Sequence, residues 1–262
     1  MNRRKFLSLI GAATALGVAG KQTFEMVAKS DILSSAALNS DTKRWAMVID
    51  LQKINKTNGI EKCIEACNKT HNIPTIKNPK HEIKWIWTEK FHHAFIEQEN
   101  KPIPENVEHL PVLTLCNHCD NPPCTRVCPT TATWRRDDGI VMMDWHRCIG
   151  CRYCIAACPY GSRSFNFIEP REHIKDLNSS FPARTRGVVE KCTFCAERIV
   201  NGEYTKPPAC VEACENNEIV FGNLNDKNSD VYKLLTTRFS ITRKPGLGTY
   251  PEVYYLIDDE EV

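Results

Sequence analysis

Apolar residues come in short bursts along this chain. Arg44-Trp-Ala-Met-Val-Ile-Asp-Leu51 predicts a first strand, with Val48, Ile49 and Leu51 as its apolar positions. Alternation over Glu82-Ile-Lys-Trp-Ile-Trp-Thr88 predicts a strand or hairpin arm with Trp85 and Trp87 on one face. Thr133-Trp134 and Gly139-Ile-Val-Met-Met143 flank a turn at Asp137-Asp138-Gly139, which predicts a hairpin. Ser162 to Ile168 reads as another short strand, followed by a polar, proline-flanked loop to about Gly187. A helix is predicted from about Ser229 to Phe239, with Asp230 near its start. After it, Arg243 to Leu256 reads as an extended tail ending in a strand, and the acidic Asp258 to Glu261 as a solvated terminus.

Composition changes this picture at one point. The chain has 262 residues and a net charge of +2, which argues against a nucleic-acid binder relying on a broad basic surface. Hydrophobic residues make up 42% and the mean hydropathy is −0.39, so the bulk should be soluble. Fourteen cysteines are the outlying number. That count in an exported chain first suggests disulfides, and only the spacings redirect it. Export itself is suggested by Asn2-Arg-Arg-Lys-Phe-Leu7 before a mildly apolar run to Gly20, the pattern of a twin-arginine signal. The run is short for a spanning helix. Gly17-Val-Ala19 and Ser35-Ala-Ala37 both offer cleavage points, and an uncleaved anchor stays open. Residues 1–40 are therefore set apart as leader and linker.

Cys148-Ile-Gly-Cys151-Arg-Tyr-Cys154-Ile-Ala-Ala-Cys158-Pro159 has the C-x2-C-x2-C-x3-C-P spacing of bacterial ferredoxins. Three thiolates at i, i+3 and i+6 can wrap one corner of a cubane cluster. The fourth, a helical turn further on, faces away and serves a second cluster. Pro159 offers no N–H and biases Cys158 out of the helical region. Cys116-Asn-His-Cys119, Cys124 and Cys128-Pro129 repeat the pattern with two residues inserted. His118 inside it is read as a donor or packing residue, since four thiols are already present. Cys192-Thr-Phe-Cys195 and Cys210-Val-Glu-Ala-Cys214 form a further copy in which Glu215 replaces the proline. A zinc ribbon is the rival reading of that copy. Aligned without gaps, residues 57–67 form a broken copy: Gly59, Cys63, Ala66 and Cys67 match Gly150, Cys154, Ala157 and Cys158, but Thr57 and Ile60 occupy the first two ligand places. His92 and His93 read as exposed rather than ligating.

If paired motifs exchange their fourth cysteine, the second and third motifs give two complete sets. These are Cys116, Cys119, Cys124 with Cys158, and Cys148, Cys151, Cys154 with Cys128. The first and fourth give a third set, Cys192, Cys195, Cys210 with Cys67. Cys63 and Cys214 are left opposite Thr57 and Ile60, as free thiols or a disulfide. Three [4Fe-4S] clusters are expected, with a degenerate fourth site. The expected fold is α+β: tandem bacterial-ferredoxin-like modules, duplicated, loop-rich and cluster-stapled, with a hairpin insertion and a C-terminal extension. Its divisions fall at 1–40, 41–225 and 226–262. Arg126, Arg147, Arg152, Lys191 and Arg198 lie beside ligands and could offset cluster charge. No nucleophile–base constellation or phosphate loop stands out.

With these motifs placed, residues 45–225 resemble the iron–sulfur subunits of the dimethyl-sulfoxide-reductase and polysulfide-reductase type. Cys116-Asn-His-Cys119, Pro122-Pro-Cys124, Pro159-Tyr-Gly161 and Lys191-Cys-Thr-Phe-Cys195-Ala-Glu-Arg198 carry the likeness. Within that family the leader, Gly161-Ser-Arg-Ser-Phe-Asn-Phe167 and the tail are most similar to the DsrO-type branch. The resemblance implies a non-catalytic, periplasmic electron-transfer subunit in sulfur metabolism. Its implied partners are an NrfD-like, quinone-handling integral membrane subunit and a multihaem cytochrome c or another redox subunit. The alternatives are an electron-transfer subunit of a molybdopterin oxidoreductase of polysulfide, nitrite or dimethyl sulfoxide reductase type, and a zinc-binding interaction module.

Overall fold

The computed structural model describes residues 42–98, 105–214 and 216–257. The twin-arginine leader, Glu215 and the acidic terminus lie outside them. In chain order the elements are β1 (Trp45–Asp50), α1 (Leu51–Lys56), α2 (Gly59–Thr70), β2 (Ile86–Lys90), α3 (Phe91–Ala94), α4 (Glu105–Glu108), β3 (Pro111–Leu115), α5 (Pro123–Arg126), β4 (Thr133–Arg135), β5 (Val141–Met143), α6 (Tyr153–Ala157), β6 (Ser164–Phe165), β7 (Val189–Glu190), β8 (Ile199–Val200), β9 (Glu203–Tyr204), α7 (Ala209–Glu212), β10 (Ile219–Asn223), α8 (Asp230–Thr237), β11 (Ser240–Ile241) and β12 (Val253–Leu256).

β1 is the centre of the largest sheet, whose order is β10-β1-β12-β11. It pairs antiparallel with β10 and parallel with β12. All six of its residues are buried. Strand alternation sends them to two faces. Ala46 and Val48 meet Val231 of α8 and Leu256, while Trp45, Met47 and Ile49 enter the main core. The sequence marks only the apolar positions of β1, because burial of both faces requires neighbours from the far end of the chain. The helix and tail after residue 225 are built into this sheet: β12 lies between β1 and β11. α8 starts where expected because Ser229 Oγ caps it, accepting from the Tyr232 N–H at 3.1 Å.

The remaining sheets are two-stranded ribbons. β4 and β5 form the hairpin across Asp137–Gly139, and β6 pairs with β7. β2 begins only at Ile86 and pairs with β3. The expected strand from Glu82 with Trp85 and Trp87 on one face is therefore corrected. Trp85 lies before the strand and is 1% exposed, stacked with His71 at 4.7 Å and donating from Nε1 to Glu190 at 3.0 Å. Tertiary partners from two other segments decide its position, and local alternation carries no trace of them.

The broken motif is also rebuilt. Asn58 precedes a continuous twelve-residue helix, α2, in which Gly59, Ile60, Cys63 and Cys67 form the buried positions. α2 packs on α7 as α5 packs on α6. Motifs one and four, and motifs two and three, are thus neighbours in the fold.

Candidate iron–sulfur sites

All fourteen cysteines are free thiols. Cys116, Cys119, Cys124 and Cys158 line one small pocket. Cys128, Cys148, Cys151 and Cys154 line a second. At the third position, Cys67 faces Cys192, Cys210 and Cys195. Each expected set of four is brought together, and each contains one thiol from the paired motif. The first two sets meet where Cys124 acts on Cys154. The first and third meet where Cys116 acts on Cys192. The three sets therefore lie in a row. Beyond Cys210, the row continues to Cys214 and Cys63, which pack in or against the same apolar cluster.

The loops that carry these thiols share one backbone device. The residue before the second cysteine is left-handed in every intact motif: His118 at φ 42°, Gly150 at 70° and Phe194 at 54°. At Phe194 that twist accompanies a backbone N–H directed at a sulfur, and two further N–H groups from neighbouring segments do the same. Phe194 N–H donates to Cys192 Sγ at 3.4 Å, Ala209 N–H to Cys195 Sγ at 3.3 Å, and Ala132 N–H to Cys128 Sγ at 3.2 Å. At Gly150 a side chain would also run into the Gly187 carbonyl, so glycine is required on both counts. At the matching Gly59 the chain is helical and no such loop forms.

Burial is the main force on the thiols. It pushes Cys119 and Cys192 up, with Cys116 adding to both, and holds Cys210 at about 12. Four such groups ionise together only beside compensating positive charge, which thiophilic iron supplies. Cys128 is the exception. Its slight burial raises it, but N–H donors from Thr133, Thr130 and Ala132 with the Thr130 hydroxyl bring it below the ordinary thiol value. Soft sulfur donors in fours, with N–H groups aimed at them, fit [4Fe-4S] clusters. When bound, such clusters take up and release single electrons.

Among the basic residues expected to offset cluster charge, only Lys191 is buried. Its Nζ donates to the Val141 carbonyl and to the Cys192 carbonyl at 2.7 Å. Arg126, Arg147 and Arg152 are exposed, and Arg198 pairs with Glu212 at 2.7 Å. The cation between the first two sets is instead Arg163, 5% exposed and donating to Thr133 Oγ1 at 2.9 Å. Burial opposes its charge, but Cys124, Cys154, Cys116 and Cys158 together raise it above the ordinary value. Arg163 was visible in sequence only as part of the Gly161–Phe167 likeness. Nothing local signals its burial.

His71 is the other residue missed. It is 1% exposed and lies 3.5 Å from both Cys67 Sγ and Cys195 Sγ. Its ring nitrogens face two acceptors, the Cys67 carbonyl at 3.0 Å and Glu197 Oε1 at 2.8 Å. Its spacing from Cys67, one helical turn, was the available signal. His118 combines packing with hydrogen bonding: its ring stacks on Phe194 at 3.7 Å, and Nδ1 accepts from the Val141 N–H at 3.1 Å. Burial, with Lys191 and Arg163 nearby, holds it well below the ordinary imidazole value and so neutral. The remaining proton lies on Nε2. His93 pairs with Glu89 at 3.0 Å and His92 approaches the Glu108 carbonyl at 3.3 Å, away from the thiols.

Interlocked four-thiol sets on duplicated helix pairs define a ferredoxin-type iron–sulfur protein. A 4Fe-4S dicluster domain family matches residues 107–169, and a second 4Fe-4S dicluster family matches 140–215. The zinc-ribbon reading of the fourth motif is thereby overturned. The chain is 41% identical to an Hdr-like menaquinol oxidoreductase iron-sulfur subunit 1 of Archaeoglobus fulgidus, covering 97% of both chains. It is 36% identical to a Halobacterium salinarum protein named as the iron-sulfur subunit of a dimethyl sulfoxide reductase, over 81% of this chain and 78% of that one. A menaquinone reductase iron-sulfur cluster-binding subunit of Nitratidesulfovibrio vulgaris is 36% identical over 81% and 88%. The chain belongs to the iron–sulfur subunits of the dimethyl-sulfoxide-reductase and polysulfide-reductase type. It is an electron-transfer subunit of an oxidoreductase complex, not a catalyst itself, and it carries [4Fe-4S] clusters.

Proposed function

We propose that this chain relays electrons through three [4Fe-4S] clusters between a membrane quinone-interacting, NrfD-like subunit and a redox partner, a multihaem cytochrome c, in sulfur metabolism. The observation that carries the reading is the row of three four-thiol sets, with Cys63 and Cys214 left outside them. One cluster is assigned to Cys116, Cys119, Cys124 and Cys158, and one to Cys128, Cys148, Cys151 and Cys154. The last is assigned to Cys67, Cys192, Cys195 and Cys210. Residues 41–225 would then hold every cluster.

The quinone side is supported by two relatives named for menaquinol and menaquinone. Among the described residues no helix is long and apolar enough to cross a membrane, which suits a membrane anchor supplied by a partner. The leader argues for twin-arginine export and a place on the periplasmic face. The set containing Cys151 reaches the surface, with Cys151 exposed, Ile149 66% and Tyr153 62% exposed, and is assigned as one end of the relay. A molybdopterin-enzyme setting is favoured by the relative named for dimethyl sulfoxide reductase.

Iron analysis of anaerobically purified protein tests the cluster count: about twelve iron atoms per chain are expected, and about sixteen would overturn it. Detergent copurification tests the setting. An NrfD-like subunit with a cytochrome c supports the reading; a molybdopterin subunit in place of the cytochrome replaces it with the second.

A further inference from the structure

Two cysteines have no place in the three thiol sets, and the fold brings those two together. Cys63 lies in α2 at 0% exposure, and Cys214 follows α7 half-buried. Both side chains belong to one apolar cluster, and α2 packs directly on α7. Thr57 and Ile60 occupy the first two ligand places of a fourth cluster. Ile60, in a ligand's place, is 4% exposed. A methyl group on Gly59 would press on Thr57 Oγ1 at 3.1 Å and Ile54 Cγ1 at 3.2 Å. The polar groups nearby have protein partners: Thr57 Oγ1 donates to the Lys53 carbonyl at 3.2 Å, and Glu218 accepts from the Asn216 N–H at 2.9 Å. Among the described residues, two adjacent thiols are the reactive groups left in this corner.

We propose that Cys63 and Cys214 form a disulfide that ties α2 to the segment after α7, in the place where a fourth cluster would have joined the two motifs. This rests on the three-cluster reading. In the intact pairs a cluster cross-links both motifs through its ligands, and the broken copy has lost that link. A disulfide closing so long a loop restores a covalent tie of the kind that constrains the unfolded chain. It also removes Cys214 as a competing thiol beside Cys210, whose electrostatic neighbour it is.

The oxidant is a protein disulfide of the thiol-oxidoreductase class, acting by exchange. The half-buried Cys214, as thiolate, attacks one sulfur of that disulfide and expels the other as thiolate, giving a mixed disulfide on Cys214. Cys63 then loses its proton and attacks the Cys214 sulfur, expelling the second thiolate. Two thiols of this chain are oxidised and one disulfide of the oxidant is reduced to two thiols.

The test uses the full chain isolated anaerobically from its native host, with iron measured on the same sample. The protein is denatured in an alkylating agent without reductant and analysed by mass spectrometry. Alkylation of two fewer cysteines than the fourteen present, with a linked Cys63–Cys214 peptide pair, is the expected result. Alkylation of all fourteen, with about twelve iron atoms, overturns the disulfide and leaves the three-cluster reading standing. About sixteen iron atoms overturn both. A Cys214→Ser variant should expose Cys63 to alkylation with iron unchanged. Loss of iron from that variant would make Cys214 a ligand and overturn the proposal.

Discussion

Buried positive charge is placed residue by residue along the row of thiol sets. Arg163 lies between the first two, and Lys191 beside Cys192. Reduction adds negative charge to a cluster, so a fixed cation nearby favours the reduced form. Arg163→Met should lower the potentials of the two clusters it separates and leave the third nearly unmoved. A redox titration followed by electron paramagnetic resonance reads this, and equal shifts at all three would assign Arg163 a general structural effect. The same scale separates the two cysteines of α2. Cys67→Ser should remove about four iron atoms per chain, whereas Cys63→Ser should remove none. Iron analysis with absorbance distinguishes them, and the reverse pattern would exchange their roles.

At the scale of elements, the difference between a cluster loop and a helix rests on a few backbone angles. Gly150 at φ 70° lets the chain wrap inward, and no side chain fits between it and Gly187. Gly150→Ala should therefore disrupt the Cys128, Cys148, Cys151 and Cys154 set, with the loss of about four iron atoms. Retention of all iron at native potentials would show that the loop has room to adjust. The copy at 57–67 takes the other course. Once Thr57 and Ile60 replaced ligands, Ile60 could be buried and the segment continued as α2. Ile54, fully buried on α1, supports that packing. Ile54→Ala should cost about 2–5 kcal/mol of stability, read as a lower denaturant midpoint.

Within the described residues, segments about two hundred positions apart are joined by Arg44 and Glu252. Glu252, just before β12, is 0% exposed and accepts from Arg44 Nε at 2.6 Å. Burial pushes its carboxyl up to about 7 even with Arg44 beside it. A carboxyl that holds its proton more tightly when folded stabilises the fold at low pH. That contribution is full below the unfolded value, about 4.3, and is lost as pH rises through about 7. Glu252→Gln should flatten this part of the profile between about pH 4.5 and 7, measured as thermal midpoints of variant and parent. An unchanged slope would show that Arg44 keeps the carboxylate ionised throughout.

The division between what was legible and what was not follows the range of each interaction. The fourth thiol of each set, from a paired motif, followed only from the exchange of ligands between motifs. Cysteine spacing marked the other three, because a cluster loop is short and its geometry is set by residues a few positions apart. The broken copy was legible for the same reason: Thr57 and Ile60 stand in register with Cys148 and Cys151. The β4–β5 hairpin and the start of α8 were also local, fixed by a turn and a cap. Tertiary structure decided the rest. β1 is buried on both faces only because β12 returns beside it from the far end of the chain. Trp85, His71 and Arg163 are buried by partners distant in sequence, and a polar side chain does not announce that a distant segment will cover it. Whether Cys63 and Cys214 would meet was equally undetermined by spacing, and the packing of α2 on α7 brought them together.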